Sequence, residues 1–310
     1  HLQWEEALPM AAEAIDREDE SNNPVDILRA LLWVSQGATS TGEFKQGEET
    51  ADNMLARARV TRDHYWIARA MNAMMDAVSA QGRFDEALAM VAEADSMGLS
   101  EPSMNAIAIN VLSQVGRFGD AQSLITSMGE TPLIAKAYYL ELGKDEAMAH
   151  ALEEATAEDA RQTFLSVSPT TPIFHMRVRY GLSILANLRK DPAVAAEEYQ
   201  QIISLVGDAN GAYLTRSNQR VLGDLAKTSG DEPEAEDHYQ RSVEFCRETG
   251  FKPELAWSMY EYADLLLTRG GDGDREKAGP MLDETLALAT DMGMKPLMEK
   301  VLSKREILKA

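Results

Sequence analysis

The chain holds a single cysteine, Cys246. That excludes an internal disulfide framework and a cysteine-built zinc site, and it fits a reducing cytoplasm. No run of eighteen apolar residues occurs, so no transmembrane helix is predicted. Aromatic residues make up only 6% of the chain, against 45% hydrophobic residues in all. Alanine, leucine and methionine carry much of that apolar content, and they favour helix over strand. No segment alternates convincingly at period two, so no sheet is predicted. Basic residues are scarce as well: 30 Lys and Arg against 51 Asp and Glu leave a formal charge of −21. Such a field repels phosphate, which argues against direct nucleic-acid binding and against an anionic membrane surface. The opening "HLQWEEALPM" is acidic and helical in pattern, unlike a signal peptide.

Signatures of chemistry are missing too. There is no phosphate-binding glycine loop, no dinucleotide fingerprint, no H-E-x-x-H and no G-x-S-x-G. The histidines His1, His64, His150, His175 and His238 show no metal-ligand spacing. Asp272, Asp274 and Glu276 alternate as in a calcium loop, but Lys277 stands where that loop needs glycine. An inter-helix turn whose acids favour the next helix N-terminus is the simpler reading. Pairs such as Glu5-Glu6, Glu153-Glu154 and Glu197-Glu198 read as solvated helix faces. Cys246, on an expected apolar face, reads as a buried small residue. No catalytic residue, metal or cofactor is predicted.

What the chain does have is a repeated phrase. "QGRFDEALAM" (81–90) returns as "VGRFGDAQSL" (115–124). Looser copies surround Gly42, Gly143, Lys190, Gly230 and Gly273. Taking Gly42, Gly82, Gly116, Gly143, Lys190, Gly230 and Gly273 as anchors, the steps are 40, 34, 27, 47, 40 and 43 residues. The phrase encodes a helix, a turn and a second helix. The turn residue ends the first helix in a left-handed conformation that suits glycine. Phe44, Phe84 and Phe118, two residues on, pack into the seam. The small residue five after the turn (Gly47, Ala87, Ala121, Ala195, Ala235, Ala278) admits close approach of the helices. A larger residue four further on (Val91, Ile125, Tyr199, Tyr239, Leu282) fills the core along the same face.

Prolines mark the helix starts, since the first turn tolerates a missing N–H. Asn23-Pro24, Glu101-Pro102, Thr131-Pro132, Thr171-Pro172, Asp191-Pro192, Lys252-Pro253 and Lys295-Pro296 each precede an apolar run. Pro9 and Pro280 fall inside expected helices and should kink or shorten them. The predicted pairs are 24–37 with 43–60, 63–80 with 84–98, 102–115 with 118–128 and 132–142 with 144–156. They continue as 173–188 with 191–206, 212–228 with 232–249 and 253–269 with 274–293, and 297–308 closes the array. The fold class is all-α: a right-handed superhelical solenoid of about seven antiparallel helix pairs, because stacked pairs bury what one pair cannot. Residues 1–156 form one expected sub-solenoid and 173–310 a second. The irregular 157–172 joins them. Trp4 and Ala7 fit a second helix with no first, so the chain is expected to be a piece of a longer protein with further domains.

"VLGDLAKTSGDEPEAEDHYQRSVEF" (221–245) and "QGRFDEALAMVAEA" (81–94) resemble the tetratricopeptide repeat, with Leu222-Gly223, Gly230, Ala235 and Tyr239 in register. Residues 260–294 resemble the C-terminal repeats of bacterial signalling ATPases, including maltose-activator-type LuxR regulators and cyclase-linked relatives. The resemblance implies that the first helix of each pair lines a concave groove where ligands bind. On that register the groove candidates are Arg69, Asn72, Asp76, Asn110, Arg177, Tyr180, Asn187, Arg220, Asp224, Lys227, Trp257, Tyr260 and Glu261. Arg177, Arg179, Arg216 and Arg220 stand out in so acidic a chain, either gripping an acidic peptide or pairing with nearby Glu and Asp. The function expected is a non-catalytic scaffold for a protein or peptide ligand, the interaction or sensor module of a larger cytoplasmic bacterial regulator. A groove for a small effector is the alternative, with an enzyme third.

Overall fold

The computed structural model describes residues 23–127, 172–207, 210–213 and 215–309, together with residues 9, 13 and 15. The expected helix around Trp4 and Ala7, the pair 132–142 with 144–156, and the 157–172 joint up to residue 171 lie outside the described residues. Thirteen helices are described. The first stack comprises α1 (Pro24–Thr41), α2 (Phe44–Thr61), α3 (His64–Ala80), α4 (Phe84–Ser96), α5 (Pro102–Gln114) and α6 (Phe118–Ser127). The second holds α7 (Pro172–Arg189), α8 (Pro192–Val206), α9 (Asn218–Ser229), α10 (Glu232–Thr249), α11 (Lys252–Arg269), α12 (Asp274–Asp291) and α13 (Lys295–Lys309). Each helix packs on the next within its stack, and α1, α3 and α5, like α7, α9, α11 and α13, also pack on one another in succession. This is an all-α solenoid of stacked helix pairs.

The repeat phrase does what its chemistry requires. Gly42, Gly82, Gly116, Gly230 and Gly273 all take left-handed backbone, with φ between 79 and 92°. Lys190 takes the same place in its copy at φ 52°, without glycine. Ala87, Ala121, Ala195, Ala235 and Ala278 are completely buried where paired helices meet. A side chain at Gly47 would run into Thr39 of the preceding helix. Tyr239 and Leu282 are fully buried, and Tyr239 lies so close to Gly223 that a Cβ there would sit 2.8 Å from its ring.

Two expectations are corrected. The segment 212–217 is not the start of a helix: Ala212–Tyr213 and Arg216–Ser217 form a short antiparallel hairpin, β1 and β2, and α9 begins only at Asn218. Asn210-Gly211 is a turn signal, and Tyr213 and Thr215 suit strand better than helix. Pro280 does not shorten its helix, since α12 runs continuously through it to Asp291.

The two stacks also touch each other. α3 meets α11, α5 meets α13, and α1 meets β1. The Phe44 and Phe251 rings lie 4.9 Å apart at 58°. They share a cluster with Ala80, Ala212, Phe245 and Leu255, so residues remote in sequence form one core.

Candidate functional site

The first helices of the second stack carry a ladder of paired charges. Arg220 on α9 donates from Nε to Glu254 Oε1 at 2.6 Å and from Nη2 to Oε2 at 3.0 Å. Glu254 Oε1 also accepts the Ser217 amide at 2.8 Å. Arg220 Nη1 lies 3.4 Å from Asp224, whose other oxygen accepts the Tyr239 hydroxyl at 2.8 Å. Two turns on, Lys227 Nζ reaches Glu261 at 3.1 Å and Asp264 at 2.6 Å, and Lys304 of α13 pairs with Asp264. Burial alone would lower the Lys227 ammonium, but the Glu261 and Asp264 carboxylates outweigh it and hold its pKa above the ordinary value. Burial pushes the Tyr260 hydroxyl up, with Glu261 adding to the effect.

This ladder explains where a scarce supply of cations goes. Arg220–Glu254 and Lys227–Glu261 are each 34 residues apart, one repeat step. Arg59–Glu93 repeats that spacing at 2.8 Å, and Arg83–Glu48 nearly does, with 35 residues between partners 2.7 Å apart. Arg220 with Glu254 and Lys227 with Glu261 hold matching places in α9 and α11, whereas the two first-stack pairs are offset within their 40-residue step; in both stacks opposite charges join neighbouring repeats. Glu254 was not singled out in the sequence; the 34-residue step from Arg220 was the signal that could have found it.

A second set of polar contacts joins the stacks. Trp257 Nε1 donates to Gln114 Oε1 at 3.1 Å, Gln114 Nε2 to Asn110 Oδ1 at 3.4 Å, and Asn110 Nδ2 to Thr215 Oγ1 at 2.5 Å. Within the second stack, Tyr180, fully buried, donates to Asn218 Oδ1 at 2.6 Å and sets its ring 5.5 Å from Tyr213. Gln114 and Thr215 gave no signal in sequence, because their partners lie on the other stack.

The groove candidates therefore divide. Asn110, Tyr180, Arg220, Trp257 and Tyr260 are buried, the first four in the hydrogen bonds above. Tyr260 lies edge-on to Trp257, with the Lys300 ammonium 5.9 Å from its ring. Asp224 is held by Tyr239 and Arg220, and half-buried Asn187 accepts from Thr228 at 2.8 Å. Arg179 pairs with Glu198 at 2.6 Å, and Arg216 is buried. Arg177 lies on α7, its side chain outside the described residues. On α3 the situation differs. Arg69 Nη1 is 4.0 Å from Glu101, yet its Nε is buried without a hydrogen-bond partner. Asn72, only 8% exposed, likewise has an unpartnered Oδ1. Half-buried Asp76 continues this face one turn on.

Other candidates resolve structurally. Cys246 is completely buried, and burial pushes its thiol far above the ordinary value. Asp274 is held by Arg269 and by the Gly271 amide, at 2.8 Å in each case, which makes the acidic loop a helix-entry turn. Among the described residues no group of three His, Cys, Asp or Glu is placed to hold a metal, and no helix is long and apolar enough to cross a membrane.

Glu198 supplies a pH prediction. Burial raises its carboxyl to about 7 from an ordinary 4.5, against the pull of Arg179. Its Oε2 is buried with no hydrogen-bond partner. The folded chain holds this proton more tightly than the unfolded chain does. The associated stability is complete below about pH 4.5 and is lost as pH rises through about 7. Between pH 5 and 8 the wild type should lose on the order of 2 kcal/mol more than Glu198→Gln. Urea titrations of both proteins across that range check it, and parallel curves would refute the assignment.

No family model and no curated protein matches the chain. Among solved structures it is similar to a tetratricopeptide repeat protein from Parabacteroides merdae ATCC 43184, with a TM-score of 0.44 and 14% identity over 89% of this chain and 98% of that one.

Proposed function

We propose that this chain is a non-catalytic scaffold that binds an extended peptide segment of a partner protein on the face formed by α1, α3 and α5. In this reading it serves as the interaction module of a larger cytoplasmic bacterial regulator. The supporting observation is the pair of unpartnered buried polar atoms on α3, Arg69 Nε and Asn72 Oδ1. Buried polar groups in folded proteins are almost always satisfied, so an orphan donor and an orphan acceptor one turn apart point to a missing ligand. A donor and an acceptor match the carbonyl and amide of a peptide backbone. The stitched charges of the second stack serve the scaffold instead, holding the repeats in a fixed curvature.

The test is selection from a displayed library of random peptides against the purified chain. Selected peptides should bind Asn72→Ala and Arg69→Ala at least tenfold more weakly, with both variants folded by circular dichroism. Failure to enrich any peptide, or peptides indifferent to both changes, would overturn the reading.

A further inference from the structure

Where the two stacks touch, two kinds of edge meet, and each stack carries both. One edge holds the turns inside the helix pairs, at Gly42, Gly82 and Gly116 in the first stack. The other holds the turns between pairs, at 248–253 and 291–296 in the second stack. The glycine turns act as sockets. A Cβ at Gly82 would lie 2.5 Å from Met292 Sδ, one at Gly116 would lie 3.5 Å from Pro296 Cδ, and one at Gly42 would run into Thr249.

The other two edges are open. In the second stack, Gly230 and Gly273 have left-handed φ of 90 and 82°, and a Cβ at either would meet nothing within 4 Å among the described residues. In the first stack, the turn after α4 repeats the turn that carries Met292. Met97-Gly98-Leu99 matches Met292-Gly293-Met294. Met97 and Met292 end their helices at φ −93 and −92°, and Gly98 and Gly293 follow at φ 69 and 68°. Met292 is half-buried against its socket, whereas Met97 is 41% exposed. Seven large apolar residues are exposed among the described residues, and five of them lie on these two open edges. Val60, Tyr65 and Met97 flank turns between pairs in the first stack, and Leu188 and Val194 flank the Lys190 turn in the second. Apolar side chains gathered at an edge mark an interaction surface.

We infer that copies of this chain associate head to tail, the open edge of one second stack receiving the open edge of the next copy's first stack. A second copy fits because the chain already makes this contact with itself. The internal contact also sets the register, since the successive turns at Gly42 and Gly82 meet Thr249 and Met292 in the same order. Between copies, the Lys190 turn then meets Val60 and Tyr65, and Gly230 receives Met97. The two edges differ, so the association is heterologous and does not stop at a two-fold dimer.

Sedimentation velocity on the full chain, over a wide range of concentration, tests this. The average mass of the wild type should rise with concentration and pass that of a dimer. Met97→Glu, folded by circular dichroism, should need about tenfold more protein to reach the same mass, because it loses the burial of a methionine and places a charge in the contact. Leu302→Glu, on the exposed face of α13, should associate as the wild type does. Cross-linking checks the pairing. Cys246 is buried, so Met97→Cys and Asp231→Cys each present one accessible thiol. A short bis-maleimide should join the two variants when mixed far more than it joins either alone. A chain that stays monomeric, a mass that levels off at the dimer, association indifferent to Met97→Glu, or equal cross-linking of mixed and separate variants would each overturn the assignment.

Discussion

Glu254→Ala should destabilise the second stack by about 3–5 kcal/mol, because it breaks a buried ion pair from one side. Glu254 is 2% exposed and Arg220 is 3% exposed, so neither charge can turn to water. The truncation removes both Arg220 hydrogen bonds and the acceptor of the Ser217 amide together. Asp224, 3.4 Å from Arg220, remains and should hold the loss toward the lower end of that range. Glu254→Gln keeps an acceptor for Ser217 and one guanidinium N–H, so it should cost less. Replacing both partners, Arg220→Met with Glu254→Leu, should recover most of the stability, because buried pairs often exchange for apolar residues at little loss. Since repeat arrays unfold in neighbouring units, urea titration should be paired with hydrogen exchange that locates the loss in α9–α11. A loss below about 1 kcal/mol for Glu254→Ala would show that the pair does little for stability.

The same pair shows why some of this molecule is legible in sequence and some is not. The turn at Gly82 and the buried Ala87 are five residues apart, within one helix–turn–helix, so local spacing predicts both. The Arg220–Glu254 bridge matches the 34-residue step between Gly82 and Gly116 but not the 43-residue step between Gly230 and Gly273, so the uneven spacing obscures it and Arg220 reads equally well as an arginine awaiting a ligand. Contacts between the stacks are another matter. Asn110–Thr215 and Trp257–Gln114 join residues 105 and 143 apart. Their pairing depends on the small rotation between repeats, summed over several of them, and no single segment encodes that sum. The hairpin was missed for a related reason. Two residues per strand are too few to show a period of two, and its stability comes from α1, α5 and Glu254 rather than from its own sequence. The α3 face was legible as a position but not as a chemistry: register placed Arg69 and Asn72 together, and only the fold shows that Arg69 Nε and Asn72 Oδ1 are left unsatisfied.

Phe251→Ala should have an effect of similar size and a different character. Phe251 is completely buried at the entry to α11, where its ring meets Phe44 from the other stack. Removing it should cost about 3–5 kcal/mol through lost burial and the cavity left behind. Leu282, equally buried within the second stack, is the control, since Leu282→Ala should cost about 2–5 kcal/mol by the same mechanism. The two should differ in shape. Phe251→Ala weakens the contact between stacks, so the radius of gyration from small-angle scattering should rise at temperatures below unfolding, and amides of the hairpin and α1 should lose protection. Leu282→Ala should leave the radius of gyration unchanged and loosen α12 instead. Equal scattering from the two variants would mean that the Phe44–Phe251 contact does not hold the stacks together.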